Sequence, residues 1–450
     1  MKILVCLKVI KGEINPFDEA ALECALQLSK NVTVISMAPL SAVDVLKPLT
    51  RLGAEVLLLS DSIWAGSDTL ATSYILSEAI KKLDYDLILC GRQSIDGDTA
   101  QVGPMLSQML SANLVTGAMS VTEGESSVTC ITRDGEERVS FPALVTVERS
   151  YVLRFPSIFS KVRDIQILTN NDVGCERERC GLHGSPTRVL ETFENIRGKR
   201  KCKFIKRSEL DALIDELMKR DTIKEETTAS LTKLSNVWAI GGEVYEKALE
   251  IAENVTLIEK LPADELILKI SEEKPDTVLW NADSWGRRVA PVVAAALKTG
   301  LCADCTHLET DGEALFMYRP AQGGNISAKI RCLTRPQMAT VRTTVPSSDI
   351  IVGAGRGVAD KLDSVKAFAE KLNAEFAASR GLVDTGKVSY EHQVGLTGKT
   401  VSPKIYIAIG ISGAVHHTCA IENADYIIAV NPSRDARIFD YADFGIIEEW

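Results

Sequence analysis

The stretch that decides the fold reads Lys404-Ile405-Tyr406-Ile407-Ala408-Ile409-Gly410-Ile411-Ser412-Gly413-Ala414-Val415-His416-His417. A strand-like run passes into glycines and then into a helical start, the order in which a buried parallel strand delivers the chain to a ligand. Glycine lets the backbone come close to a guest, and the first N–H groups of a following helix point at a phosphate. Around it, Ser379-Arg380-Gly381, Gln393-Val394-Gly395-Leu396-Thr397-Gly398-Lys399, Asn431 and Ala442-Asp443-Phe444-Gly445 supply Ser, Thr, Gln, His, Asn, Asp and Arg. That set suits an aromatic ring system edged with carbonyls and ring nitrogens better than hydrolysis or metal binding, and a pyrophosphate is the natural guest of the glycines. The reading is a flavin dinucleotide.

Working outward, Asp349-Ile350-Ile351-Val352 opens the same domain. The Gly353-Ala354-Gly355-Arg356-Gly357 that follows is not the dinucleotide fingerprint, because the final glycine position is Val358. Upstream the chain repeats itself. Asp86-Leu87-Ile88-Leu89, polar residues, a Gly and Val102-Gly103-Pro104-Met105-Leu106 recur as Asp276-Thr277-Val278-Leu279, polar residues, Gly286 and Val289-Ala290-Pro291-Val292-Val293. Phe141-Pro142-Ala143-Leu144-Val145-Thr146-Val147 aligns with Arg335-Pro336-Gln337-Met338-Ala339-Thr340-Val341. Apolar strands alternate with helical patterns in each repeat, which predicts parallel sheets covered by helices. The fold class expected is α/β: two related parallel-sheet nucleotide-binding modules plus a C-terminal α/β FAD-binding domain. The expected bounds are 1–196 for the first module and its arm, 197–234 for a linker, 235–346 for the second module and 347–450 for the flavin domain. Loops after strand carboxyl ends face the ligand crevice of such sheets, so the Asp96–Thr99 loop, leading into a helix near Val102, is placed to hold a nucleotide.

The 450 residues fit about three domains at roughly 150 residues each. A net charge of −10 argues against a nucleic-acid partner, and the one basic run, Lys199-Arg200-Lys201-Cys202-Lys203, reads as a solvated linker. No apolar run reaches the ~18 residues of a membrane span, and Met1-Lys2-Ile3-Leu4-Val5-Cys6 enters a strand directly, so a cytoplasmic protein without membrane insertion is expected. Eleven cysteines, an odd number, suit buried reduced thiols. Cys302-Ala303-Asp304-Cys305 is a lone C-x-x-C without a second pair, read as packing beside a turn. No hydrolytic triad, paired acid–base carboxylates or metal cluster stands out, so the catalytic set is empty and a bound cofactor carries the chemistry.

The C-terminal residues resemble the FAD-binding domain of the α subunit of electron-transfer flavoproteins. Asp86 to Pro104 is similar to the nucleotide-binding signature of the β subunit of that family, as though both subunits were fused on one chain. The resemblance implies FAD contacts at Arg356, Ser379, Arg380, Gln393, Val394, Gly395, Leu396, Thr397, Ser412, Gly413, Ala414, Val415, His416, His417, Asn431, Asp443 and Phe444. In the first module it implies Cys6, Asn15, Pro16, Phe17, Met37, Asp96, Gly97, Asp98, Thr99, Gln101 and Val102 around AMP or a second FAD, the latter belonging to the electron-bifurcating type that exchanges a hydride with NADH. Arg380 beside the ring would favour added negative charge. Thr397 would bond the ring edge at N5, and His417 would donate to a ring carbonyl, with His416 lining the pocket. Implied partners are a flavin dehydrogenase, such as the acyl-CoA dehydrogenase type, and a further electron acceptor or donor, with the flavin domain swinging on a tether near Thr344–Asp349.

Departures are visible. Ile10-Lys11-Gly12-Glu13-Ile14 nearly abolishes a hairpin, the second module is short by about one βα unit, Ser433 replaces an expected Asp, and no terminal helix follows Trp450. The docking segment Ser150-Tyr151-Val152-Leu153-Arg154-Phe155-Pro156 keeps an Arg-aromatic-Pro end without an acidic-Pro lead. Three functions follow: an FAD electron carrier, an NADH-oxidising bifurcating flavoprotein with two FAD, and a non-redox nucleotide-binding scaffold.

Overall fold

A computed structural model describes residues 1–194, 200–220, 232–321, 326–343, 348–395 and 398–450. Leu396 and Thr397 lie outside the described residues, as do 221–231 of the expected linker and 344–347 of the expected tether. The chain forms two compact units: Met1–Thr192 with Leu231–Gln322 and Ala328–Val341, and Phe193–Ser230 with Gly323–Ser327 and Arg342–Trp450.

The first unit holds both repeats. One sheet has seven parallel strands in the order Gln166–Leu168, Glu55–Leu59, Asn31–Met37, Lys2–Cys6, Leu87–Gly91, Ala143–Val147 and Asn113–Ala118. Side chains alternate across it. Ile3, Val5, Val34, Leu58, Leu87 and Leu89 enter one core, while Leu4, Cys6, Ile35, Leu59 and Ile88 enter the other. A period of two with both faces apolar explains the near-continuous hydrophobic runs, each buried aliphatic side chain contributing about 1.5–3 kcal/mol. The second repeat forms a parallel sheet in the order Ala252–Ile258, Leu234–Ile240, Thr277–Asn281, Gln337–Val341 and Leu301–Cys305. Five strands of each sheet correspond in order, and the strands Glu55–Leu59 and Gln166–Leu168 have no counterpart in the second sheet. Leu70 and Met105 of the first repeat share a core with Trp280, Ala290 and Val293 of the second. The shortened hairpin is present in minimal form, Val9–Ile10 against Glu13–Ile14, turning through Lys11 at φ 51° and Gly12 at φ 83°.

The second unit has seven parallel strands in the order Lys203–Phe204, Phe444–Ile446, Tyr426–Val430, Ile405–Ile409, Ile350–Ala354, Glu375–Ser379 and Gln393–Val394. Part of the expected linker is structural here. Lys203–Phe204 pairs with the sheet edge, and the helix Leu210–Lys219 buries Leu210, Ile214 and Leu217 against Ile405, Ile407 and Val365. Its apolar stripe recurs every three to four residues, which commits it to a core rather than to solvent.

Candidate functional site

In the second unit the strand order reverses between Ile350–Ala354 and Ile405–Ile409, so the carboxyl ends of these two strands open the crevice. Glycine makes that opening possible. A Cβ on Gly355 would lie 2.0 Å from the Gly410 carbonyl oxygen, and Gly355 N–H donates to the Ile409 carbonyl at 2.7 Å. Gly413 has φ +83°, and a Cβ there would sit 2.1 Å from the Ile438 nitrogen. The loop is thereby held with Ser412, Ala414 and His416 facing solvent. The expected helix is a single turn, Val415–Thr418. So short a turn has little macrodipole, and attraction for an anion rests on the loop N–H groups.

The other predicted residues divide into two sets. Arg356 is exposed in a turn after the first strand, with its Cβ 4.0 Å from where a side chain on Gly381 would begin. Arg380 opens the turn Arg380–Val383 with Ser379 as its cap and pairs with Asp384 at 3.4 Å; both are partly exposed, so this pair is weak. Gln393, Val394, Gly395 and His417 are buried and hold the walls. Asn431 does the same, donating to the Ile411 carbonyl at 3.0 Å and accepting from Ser433 N–H at 2.9 Å.

His417 is occupied within the protein. Its Nδ1–H donates to the Val394 carbonyl at 3.0 Å, and its Nε2 accepts from the Tyr406 hydroxyl at 3.1 Å. Burial lowers its pKa to about 4, against the opposing pull of the Val394 carbonyl. The ring is therefore neutral at pH 7, with both nitrogens engaged before any ring carbonyl is considered. Gly353 makes this arrangement possible, since a Cβ there would lie 2.0 Å from the Tyr406 hydroxyl oxygen. Because the folded pKa lies below the ordinary 6.5, the unfolded chain takes up this proton first as pH falls. Stability of the second unit should be fully present above about pH 6.5 and decline towards pH 4, by at most about 3 kcal/mol from this group. Chemical unfolding across that range should show the slope, and His417→Gln should flatten it.

Asp443 and Phe444 do not join the cluster. They precede and begin the strand Phe444–Ile446, and in a parallel sheet that end lies at the amino edge, opposite the crevice. Asp443 accepts instead from the Arg200 guanidinium and from Ile427 N–H. Arg200, read in the sequence as part of a solvated run, also donates to the carbonyls of Glu422, Ala424 and Asp425. The residues that follow this strand at the carboxyl edge are Ile447 and Glu448, next in sequence to the Glu449 that pairs with Lys361.

The first unit has a second crevice at the reversal between Lys2–Cys6 and Leu87–Gly91. The 13-residue helix Pro16–Leu28 points its N-terminus there. Asn15, before it, donates to the Gln93 carbonyl at 2.9 Å and accepts from Ile95 N–H at 3.3 Å, clasping the predicted loop. Lys8 reaches Asp96 at 2.7 Å, and Gln93 donates to Asp98 at 3.0 Å. Burial pushes the Asp96 carboxyl up, but the Lys8 ammonium and nearby donors overcome it and hold the group below its usual range. Asp98 and Ala100 take left-handed φ of 51° and 55°. Cys6, Asn15, Pro16, Phe17, Asp96, Gly97, Asp98 and Thr99 thus converge on one edge, with Met37 ending the adjacent strand. Gln101 and Val102 differ. Gln101 is buried, accepts from Thr69 at 2.7 Å and donates to the Leu301 carbonyl at 3.0 Å, so it ties the two repeats together, and Val102 begins the following helix.

The sequence reading missed Asp18. Its two oxygens accept from Gly91 N–H at 2.9 Å and Lys8 N–H at 2.8 Å, clipping together the strand ends that form the crevice. Burial raises its pKa to about 7 in spite of these donors. A Cβ on Gly91 would lie 2.3 Å from an Asp18 carboxylate oxygen, so the close approach requires glycine there. Asp18→Ala leaves the Gly91 and Lys8 N–H groups without their acceptor and is expected to lower the stability of the first unit by about 1–3 kcal/mol; chemical unfolding measures it.

On the Pro16–Leu28 helix, Glu23 accepts four bonds from Arg154, one from its backbone N–H and three from its guanidinium, the shortest 2.7 Å. That anchor holds a loop whose Phe155 and Phe159 are 96% and 87% exposed, with Val152 and Ile158 beside them. Among the described residues no group of three or more His, Cys, Asp or Glu is placed to hold a metal, and no helix is long and apolar enough to cross a membrane.

Comparison with known proteins gives the following. Residues 3–152 and 259–367 match the model of the electron transfer flavoprotein domain, and residues 344–422 match that of the electron transfer flavoprotein FAD-binding domain. The chain is 39% identical over 223 residues to electron transfer flavoprotein subunit alpha of Thermoanaerobacterium thermosaccharolyticum, covering 39% of this chain and 68% of the relative. It is 42% identical over 195 residues to subunit beta of the same organism, covering 40% of this chain and 75% of the relative. The acryloyl-CoA reductase electron transfer subunit beta of Anaerotignum propionicum is 34% identical over 252 residues, covering 39% of this chain and 69% of the relative.

Proposed function

The chain belongs to the electron transfer flavoprotein family, and on that premise we propose that it is an α and β subunit joined in one polypeptide, carrying electrons between a flavin dehydrogenase and a further acceptor through FAD held at the crevice of the second unit. One observation carries the site: the carboxyl edge of that sheet gathers a glycine loop locked against Ile438, the Ser412 hydroxyl and the guanidiniums of Arg356 and Arg380. The donor set fits a dinucleotide, with N–H groups and cations for its anionic middle and polar side chains for its ring edge. Bound FAD would supply uptake and release of electrons one or two at a time. The chain's own part is to orient the ring, set its electrostatics through Arg380 and limit access of water.

The crevice of the first unit is read as the seat of a second nucleotide. The N-terminus of the Pro16–Leu28 helix and the Asn15 clasp suit AMP or the adenylate end of a second FAD. Nucleotide extraction and chromatography distinguish them: one FAD plus AMP with no response to NADH marks the plain carrier, while two FAD with rapid bleaching by NADH marks a bifurcating protein. The exposed Phe155–Phe159 loop is read as the docking face for the dehydrogenase. Phe155→Ser with Phe159→Ser should slow electron transfer from that partner about tenfold or more, with flavin content unchanged; stopped-flow reduction by the reduced dehydrogenase measures it.

A further inference from the structure

The second repeat lacks the strands that cover the outer side of Asn31–Met37 in the first, so the counterpart of that strand, Ala252–Ile258, ends its sheet. Among the described residues no strand pairs with its outer side. An open strand presents a row of unpaired N–H and C=O groups, and folded chains blunt such edges by keeping them short, by bulges, or by Pro and Lys. The other edges of the three parallel sheets are blunted. Lys203–Phe204 and Gln393–Val394 have two residues each, Gln166–Leu168 has three, and Asn113–Ala118 and Leu301–Cys305 break register with their neighbours. Ala252–Ile258 runs for seven residues in unbroken register with Leu234–Ile240 and holds neither Pro nor Lys.

The ladder sets which groups point out. The Ile258 carbonyl accepts from Gly241 N–H at 2.8 Å, so it faces the neighbouring strand. With a period of two, Asn254 and Thr256 also turn their backbone inward, while Glu253, Val255 and Leu257 turn N–H and C=O outward. The side chains of these three share one face of the sheet, where Val255 packs against the core of Val237 and Ala239 and Leu257 is 52% exposed.

We propose that this edge is a self-association surface, on which two copies of the chain pair Ala252–Ile258 antiparallel about a twofold axis at Val255 and join their five-stranded sheets into one. A twofold contact needs an edge complementary to itself, residue i of one copy meeting j of the other and j meeting i. With the axis at Val255, Glu253 meets Leu257 and Val255 meets Val255, so every outward N–H and C=O of the strand is exchanged. With the axis at Thr256, Glu253 would meet Glu259, and like charges would oppose each other twice. With the axis at Asn254, Leu257 would meet Ile251, which ends the helix Tyr245–Ile251 and has no extended backbone to offer. Charge and strand length select the same pairing.

The test is sedimentation velocity of the full chain over a range of concentrations. The parent should sediment as a dimer, twice the 49.0 kDa of one chain, and dissociate on dilution. Leu257→Glu sets a carboxylate opposite Glu253 in both symmetric pairs and should raise the dimer dissociation constant about tenfold or more. Leu257→Lys sets an ammonium there and should keep the dimer, whereas a contact held by apolar burial alone would be weakened by both. Val255→Cys should form an interchain disulfide under mild oxidation, because the axis sets that residue against itself, and Leu257→Cys should not. A parent that stays monomeric at every concentration, a dimer indifferent to Leu257→Glu, or equal weakening by Glu and Lys overturns the proposal. Should a Leu257 variant fail to fold by circular dichroism, the Val255→Cys cross-link decides, and its absence overturns the proposal equally.

Discussion

Gly413→Ala should give a protein that folds but is purified without flavin, its FAD affinity lowered by about a hundredfold or more. Two costs add. A non-glycine residue at φ +83° is strained by about 1–2 kcal/mol. The new Cβ would also lie 2.1 Å from the Ile438 nitrogen, 2.5 Å from the Arg437 carbonyl carbon and 2.5 Å from the Ile438 Cα. Backbone cannot swing aside as the end of a side chain can, so the Ser412–Ala414 loop must move, and with it the N–H groups that would meet the pyrophosphate. Gly386 is the control. It also has positive φ, +74°, but a Cβ there meets nothing within 4 Å, so Gly386→Ala carries only the conformational cost and should keep its flavin. Absorbance of the purified variants and FAD titration measure both.

Arg380→Ala should leave flavin bound and lower the potential of its first reduction by on the order of 60 mV, equivalent to a tenfold change for one electron. A fixed cation beside the ring favours the state that has gained negative charge, and removing it withdraws that preference. Asp384, paired with Arg380 at 3.4 Å, tempers the field without cancelling it, because both groups are partly solvated. Arg380→Lys should restore part of the potential, which a merely structural role would not predict. Spectroelectrochemical titration of the three proteins separates the cases.

The sheets were legible because buried parallel strands leave unbroken apolar runs, and the repeat was legible because the Asp86 and Asp276 strands carry the same pattern into corresponding central positions. The glycine loop after Ile409 was legible for a local reason: a strand ending in Gly410 and Gly413 has few other uses. What failed to show depended on distant residues. Asp443 reads as a polar residue beside glycine, but which edge it occupies is set by strand direction, and the bonds from Arg200 and Ile427 that engage it come from elsewhere in the chain. His417 looks like a ligand residue until Tyr406 reaches it across the space left by Gly353, a relation between two strands that no spacing encodes. Asp18 was hidden in a helix pattern. Its role appears only when the ends of Lys2–Cys6 and Leu87–Gly91 are brought side by side. Within the stretch expected to be a linker, Leu210, Ile214 and Leu217 repeat at helical spacing and mark an amphipathic helix, but the residues they pack against, Ile405, Ile407 and Val365, lie far along the chain.

Flavin stoichiometry decides whether the carboxyl edge of the second unit holds an isoalloxazine dinucleotide. Purified full-length chain, and the same chain carrying Gly413→Ala, would be incubated with excess FAD, desalted and assayed for flavin by absorbance and chromatography of the extract. The parent should retain FAD, and the variant should lose one equivalent relative to it. A parent that stays colourless after this treatment, or a variant with undiminished flavin, would contradict the account.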